Sequence, residues 1–239
     1  GMADNSPAIP RQADDAAIAD AAERLRAGGL VAVPTETVYG LAARADSDVA
    51  VAAIYRAKGR PDFNPLIVHV SGLEQGQQLA VFDDRARQLA DAFWPGALTL
   101  VLPKRAEAPL AAAVSAGLPT LALRCPAHPV MRALLAECGL PLAAPSANRS
   151  GGVSPTSAAH VAASLGSGAG LILDGGSCAQ GIESTIVALR EGGGWQVLRP
   201  GPVTEAQISA VLGTEPDAVT PGCGIEAPGQ LTSHYAPGK

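Results

Sequence analysis

Apolar residues recur three and four positions apart between about Asp14 and Ala27, where Ile18, Ala22 and Leu25 share one side. That spacing predicts a helix, and Gly28-Gly29 closes it because glycine readily takes the backbone conformations that end helices. The same pattern predicts helices over about 46–57, 84–93, 128–138 and 204–212, the last capped by Thr204. A further helix is expected to run from the loop at 146–156 to Leu165, with Ser154 as its N-cap and Pro155 at its first position. Short apolar runs predict strands at 30–33, 66–70, 97–102, 120–123, 142–144, 171–173, 184–189 and 195–198. The turn-rich stretch Arg190 to Gly194 joins the last two, which predicts a hairpin. Pro34 to Leu41 directly follows a strand, where polar and hydroxyl residues commonly line sites in α/β folds, and an ordinary connection from strand to helix would use the same residues. Helices and strands mix without strict alternation, so the expected class is α/β with a mixed sheet. One domain over 13–212 is expected, preceded by a flexible leader through residue 12. Residues 213–239 are rich in Gly and Pro without periodicity, and are expected to form a linker or lid.

Composition narrows this picture. Hydrophobic residues make up 47% of the 239, charged ones 16%, and mean hydropathy is +0.19, which describes a folded, rather apolar chain. Aromatic residues reach only 3%, so Ala, Leu and Val must fill the core. No apolar run approaches the ~18–20 residues that a bilayer span needs. The first residues lack the apolar stretch of a secretory signal, so a cytoplasmic location without a membrane partner is expected. Cys125, Cys138, Cys178 and Cys223 are scattered without a CxxC pair, which speaks against a zinc site or a disulfide framework. The net charge of −5 speaks against whole-chain attraction to nucleic acid, while a local basic groove stays compatible with it.

Several stretches carry candidate chemistry. In Ser146 to Thr156 (SANRSGGVSPT), glycines let backbone approach a ligand closely, and a following helix start would present free N–H groups to an anion. An ordinary capped loop would use the same residues. Lys58 and Arg60 flank Gly59 in a Gly/Pro turn with Asn64 nearby. One such cation offsets a helix dipole, whereas two in a rigid turn suit a polyanion such as a triphosphate. Arg124 and Arg199 each end an apolar strand, where a guanidinium can meet a phosphate or carboxylate. Thr35, Thr37 and Ser184 put hydroxyls at strand ends, where sites in α/β folds gather. His69 falls opposite Val68 and Val70 in an alternating strand, a position that fits a structural histidine. Cys125 is expected to be a small buried hydrophobe. There is no P-loop, no metal triad, no G-x-S-x-G elbow and no nucleophile–base pair. Cations, hydroxyls and an anion-binding loop suit phosphoryl or adenylyl chemistry carried out by positioning and charge.

Seven motifs stand in order along the chain: PTETVYGL (34–41), KGRPDFNPL (58–66), WPGALTLVL (94–102), TLALRCP (120–126), PLAAPSANRSGGVSPT (141–156), ESTIV (183–187) and LRPG (198–201). On these the chain resembles the YrdC-like family, the L-threonylcarbamoyladenylate synthases, over roughly residues 15–212. The resemblance implies a twisted, mixed, open sheet flanked by helices, with a central cleft. It also implies a nucleotidyltransferase reaction in which L-threonine, bicarbonate and ATP give threonylcarbamoyl-AMP and pyrophosphate. Magnesium would accompany the ATP. The product would pass to tRNA threonylcarbamoyltransferase proteins, and APGQLTSHYAPGK (227–239) would match the linker that leads into a second domain in longer members.

Carried over by motif, the resemblance implies Thr37, His69, Thr120, the backbone around Ala144, and Ser184 for threonine. It implies Arg60, Asn64, Arg124, Ser146, Ser154, Arg199 and Tyr235 for ATP. Lys58 and Arg60 take the leading electrostatic role and are expected to be partly exposed in the cleft, with Tyr235 coming from a lid. The alternative is a module of the same fold that binds double-stranded RNA or tRNA without synthesis, which the acidic net charge disfavours. A carbamoyl-transfer domain of the hydrogenase-maturation type shares the fold, but it would come with zinc-finger segments, and this chain has no CxxC pair.

Overall fold

Polar residues ahead of Ala-rich runs start most of the helices. The side chains of Asp14, Ser47, Asp83, Ser157 and Thr204 each accept a backbone N–H from the first turn that follows. His128 does the same through Nδ1 at the start of a helix with Pro129 in its first turn. The computed structural model describes residues 8–59, 64–218 and 225–230. In chain order the elements are β1 (Arg11–Gln12), α1 (Asp15–Arg26), β2 (Val31–Pro34), β3 (Tyr39–Arg44), α2 (Asp48–Lys58), β4 (Ile67–His69), α3 (Leu73–Leu79) and α4 (Asp84–Phe93). They continue with β5 (Leu98–Pro103), β6 (Thr120–Arg124), α5 (Pro129–Cys138), β7 (Leu142–Ala143), α6 (Ala158–Leu165), β8 (Leu171–Asp174), β9 (Thr185–Leu189), β10 (Trp195–Arg199) and α7 (Glu205–Leu212).

The described strands form one sheet in the order β1-β8-β2-β3-β7-β4-β6-β5-β9-β10, with parallel and antiparallel pairs mixed. This is the expected open mixed sheet. Its two faces differ because successive strand residues point to opposite sides. One face carries Leu98, Leu100, Leu102, Leu121, Leu123 and Val68 into the largest core cluster. The opposite face splits in two. Over β8, β2, β3 and β7 it packs under α1 and α5, with Val31, Val33, Ala42 and Leu142 against Leu25 and Leu134. Over β4, β6, β5, β9 and β10 it carries Ile67, Ala122, Val101, Ile186 and Leu198, which pack together with Ala227 from the segment 225–230. The candidate site lies on this second half.

Several expectations need correction. Residues 11–12 are no leader, since they pair in parallel with Leu173 and Asp174 of β8. The stretch after Pro34 turns back and forms β3, antiparallel to β2. Its sequence, YGLAAR, is almost wholly buried and shows no alternation, so only pairing reveals it as a strand. The short α3 was also not foreseen, since it holds Gly76 and four Gln or Glu residues. Helix α6 begins at Ala158 with Ser157 as its cap, three residues later than expected. The Pro155 carbonyl accepts the N–H of Tyr39, and the Thr156 carbonyl accepts that of Cys178, so these residues are tied to neighbouring chain instead of opening the helix. The hairpin β9–β10 forms as expected. Part of the expected tail is tied down: Glu226 pairs with Arg190, whose Nη1 donates to Oε2 at 2.8 Å, and Ala227 is fully buried.

His69 sets a pH dependence. It sits in β4 between β6 and β7, opposite Arg124 and Leu142 in the ladders. Burial, and then the positive charge of Arg124, push its pKa down to about 3. Folded His69 is therefore neutral at pH 5, whereas the unfolded residue, with a pKa of about 6.5, takes up a proton. The unfolded state binds more protons below pH 6.5, so stability falls as pH falls. From pH 7 to pH 5 this one group should remove about 2 kcal/mol. His128, also lowered chiefly by burial, acts in the same direction. Urea unfolding at both pH values should show the loss in the wild type and a smaller one in His69→Gln. An equal loss in the two proteins would clear His69 of the effect.

Candidate active site

A cleft of about 500 Å³ opens between the sheet face and the loops at its end. Its walls include Thr37 after β2, Lys58 at the end of α2, His69 ending β4, Arg124 ending β6, and Ala144 after β7. Ser146 to Ser154 form one side, and Ser184, Arg199, Pro228 and Gly229 the other. Strands running in opposite senses thus deliver their ends to one place.

Lys58 is the last residue of α2, and Gly59 stops the helix with φ +96°, a left-handed conformation that glycine takes without strain. The Lys58 ammonium turns inward. Nζ donates to the Ser146 carbonyl at 2.6 Å and to the Asn148 carbonyl at 2.7 Å. The Lys58 carbonyl accepts the Ser150 N–H at 2.9 Å. Lys58 is only 8% exposed, so the expectation of a partly exposed cation is corrected: its charge fastens the Ser-Ala-Asn loop and lines the cleft from below. Asn148 braces the same loop through Nδ2, which donates to the Arg149 and Gly152 carbonyls. Its buried Oδ1 has no hydrogen-bond partner among the described residues.

Arg124 is the hub of the opposite wall and is 3% exposed. Its guanidinium donates to Glu36 Oε1, to Thr37 Oγ1 at 3.0 Å and to the Gly96 carbonyl at 3.1 Å. The other Glu36 oxygen accepts the Ala127 N–H at 2.8 Å. Burial draws the Arg124 pKa down, and Glu36 opposes that shift. Thr35 Oγ1 donates to the Val38 carbonyl at 2.7 Å, accepts the Thr37 and Val38 N–H groups at 3.2 Å each, and lies 2.8 Å from Thr37 Oγ1. Thr37 Oγ1 also accepts from Arg124 Nη1.

Arg199 donates through Nε to the Ser184 carbonyl at 2.9 Å and through Nη2 to Ser184 Oγ at 3.1 Å. Nη1 donates to the Pro228 carbonyl at 3.0 Å and lies 3.4 Å from Glu183 Oε2. Gly201 permits this arrangement, since a Cβ there would stand 2.5 Å from the Thr185 nitrogen and 2.7 Å from the Glu183 carbonyl oxygen. His69 brings its ring to the same cavity, with Nδ1 buried and unpartnered among the described residues. Buried polar atoms of this kind are uncommon in folded proteins, and here two of them, Asn148 Oδ1 and His69 Nδ1, belong to residues lining one cleft.

The structure therefore gathers Lys58, Thr37, His69, Ala144, Ser184, Asn64, Arg124, Ser146, Ser154 and Arg199 around one cavity. Thr120 stands apart from it. It begins β6, whereas Arg124 ends that strand, and its hydroxyl meets Glu226 at 3.4 Å. Arg60 and Tyr235 lie outside the described residues. Glu36, Asn148, Glu183 and Thr99 were not singled out from sequence, although the PTETVYGL, SAN, EST and ALT stretches contain them. Nothing in their spacing distinguished residues that hold the wall from those that face the cavity. Cys125 is buried as expected, and burial raises its thiol pKa. Among the described residues, no group of three or more His, Cys, Asp or Glu side chains is placed to hold a metal ion.

The Sua5/YciO/YrdC family model, described as "Telomere recombination", matches residues 23–201. The threonylcarbamoyl-AMP synthase of Bacillus subtilis is 47% identical over 230 residues, covering 94% of this chain and 65% of the relative. The putative threonylcarbamoyl-AMP synthase of Mycobacterium tuberculosis H37Rv is 42% identical over 199 residues, covering 83% of this chain and 90% of the relative. A crystal structure of Pyrococcus abyssi Sua5 complexed with L-threonine superposes with TM-score 0.84 at 45% identity, covering 92% of this chain and 65% of that one. The chain thus spans about two thirds of the Bacillus and Pyrococcus proteins and nine tenths of the mycobacterial one. A family model that takes in most of the chain, and relatives this similar over its length, place the chain in the Sua5/YciO/YrdC family.

Proposed function

We propose that this protein makes L-threonylcarbamoyl-AMP from L-threonine, bicarbonate and ATP, releasing pyrophosphate as a nucleotidyltransferase. The observation that carries the reading is the cleft in which a lysine-fastened glycine loop faces Arg124, Arg199 and the Thr37 and Ser184 hydroxyls. The names of the relatives, and the crystallisation of the Pyrococcus protein with L-threonine, support it.

On this reading the threonine amine and bicarbonate first give a carbamate with loss of water. A carbamate oxygen then attacks the α-phosphorus of ATP, the bond to the bridging oxygen breaks, and pyrophosphate leaves. Magnesium enters on the phosphates as part of the nucleotide substrate. The chain contributes position and charge. Thr37 and Ser184 hold the amino acid, with His69 beside them. The loop from Ser146 to Ser154, together with Asn64, receives the nucleotide, to which the resemblance also assigns Arg60 and Tyr235. Lys58, Arg124 and Arg199 offset the developing negative charge from within the walls, where water screens them little. Pro228 and Gly229 border the cleft and help shield the labile carbamate and adenylate from water. The product goes on to the enzymes that attach the threonylcarbamoyl group to tRNA.

Pyrophosphate release from ATP tests the reading. With the purified chain it should require both bicarbonate and L-threonine, and serine should replace threonine poorly. Release that ignores threonine would overturn the assignment. Lys58→Met should leave the Ser146 and Asn148 carbonyls without their donor, lowering stability by about 1–3 kcal/mol. Activity should fall about 100-fold or more, since loop displacements near 1 Å have effects of that order. Wild-type turnover in this variant would remove Lys58 from the site. Deleting 227–239 should weaken ATP binding more than threonine binding in calorimetry, and equal affinities with and without the segment would rule out a cover.

A further inference from the structure

Thr99 lies on β5, opposite Arg124 of β6 in one ladder and Ile186 of β9 in the other. Strand neighbours directly opposite each other point to the same face, so Thr99 faces the half of the sheet that holds the cleft. It is fully buried and does not line the cavity. Its hydroxyl makes a single hydrogen bond among the described residues, a 2.8 Å contact with Ser184 Oγ.

The direction of that bond follows from counting protons. Each hydroxyl has one proton to donate and two lone pairs to accept with. If Ser184 donated to Thr99, the Thr99 proton would be buried without an acceptor among the described residues, an arrangement native structures avoid. Thr99 therefore donates and Ser184 accepts. Ser184 Oγ also accepts from Arg199 Nη2. Both lone pairs of Ser184 are then occupied, and its own proton can point only into the cleft that it lines. Ser184 is thus fixed as a donor, suited to an anionic oxygen on the ligand.

We propose that Thr99 is a positioning residue that holds Ser184 as a hydrogen-bond donor to the carboxylate of the bound amino acid. This rests on the threonine reading given above. In Thr99→Val, which keeps the shape and removes the hydroxyl, Ser184 loses the donor that fills one of its lone pairs, so its hydroxyl is free to rotate away from the ligand. The KM for L-threonine should rise about five- to tenfold, the order expected for one misdirected hydrogen bond. The kcat and the KM for ATP should stay within about twofold, because nothing that touches the nucleotide has changed. Thr99→Ser, which restores the hydroxyl, should return the KM to the wild-type value. In a Ser184→Ala background, Thr99→Val should add nothing further, since the donor it directs is gone.

A wild-type KM in Thr99→Val would overturn the proposal. So would an equal increase in the Ser184→Ala background, or a matching rise in the KM for ATP, either of which would mark an effect on the fold at large. Thermal melts check that the variants are folded, and Thr99→Ala serves as a second hydroxyl-free variant should valine prevent folding. If the wild type neither binds L-threonine in calorimetry nor releases pyrophosphate with it, the functional reading fails and takes this proposal with it. Threonine binding by the wild type, unchanged in Thr99→Val, defeats this proposal alone.

Discussion

The buried pair of Arg124 and Glu36 is the interaction on which the site depends. A guanidinium with almost no solvent exposure reaches the carboxylate of the loop after β2, the Thr37 hydroxyl and the Gly96 carbonyl. The same carboxylate holds the Ala127 N–H, so three chain segments meet on one charge pair. Removing one partner of such a pair typically costs about 3–5 kcal/mol, because the other charge is left buried alone. The Thr35–Thr37 turn, the end of β6 and the approach to α5 hold their relative places because this pair exists.

The same logic recurs at Lys58 and Arg199. Each cation is engaged by backbone carbonyls of a loop that borders the cleft. The walls are therefore assembled from charge and main chain rather than from bulky aromatic packing. That suits a chain with only 3% aromatic residues, whose largest core cluster is built chiefly from Ala, Leu and Val. Of the groups that line the cleft, Thr37 is held by Arg124, and Ser184 by Arg199 and Thr99.

Much of this was legible in the sequence. The amphipathic runs gave α1, α2, α4, α5 and α7 to within about two residues, and the hairpin of β9 and β10 followed from its glycine turn. Ten of the residues named from the motifs line one cavity. What failed did so for a physical reason. β3 is buried on both faces, which erases the alternation that marks a strand. The start of α6 was misplaced because Pro155 and Thr156 bond across to Tyr39 and Cys178, partners far off in the chain. The expectation of a partly exposed Lys58 fails because its carbonyl partners lie 88 and 90 residues away. Thr120 shares a strand with Arg124, but its opposite end lies beside Glu226.

The inward-turned cations also bear on how the cleft responds to ionic strength. Dissolved salt weakens attraction between exposed charges over a Debye length of about 8–10 Å, but reaches buried groups far less. Lys58, Arg124 and Arg199 are all under 9% exposed, so mobile counter-ions compete poorly for them. Their share of the pull on an anionic ligand would therefore persist in concentrated electrolyte, where a groove lined with free surface lysines would lose its grip.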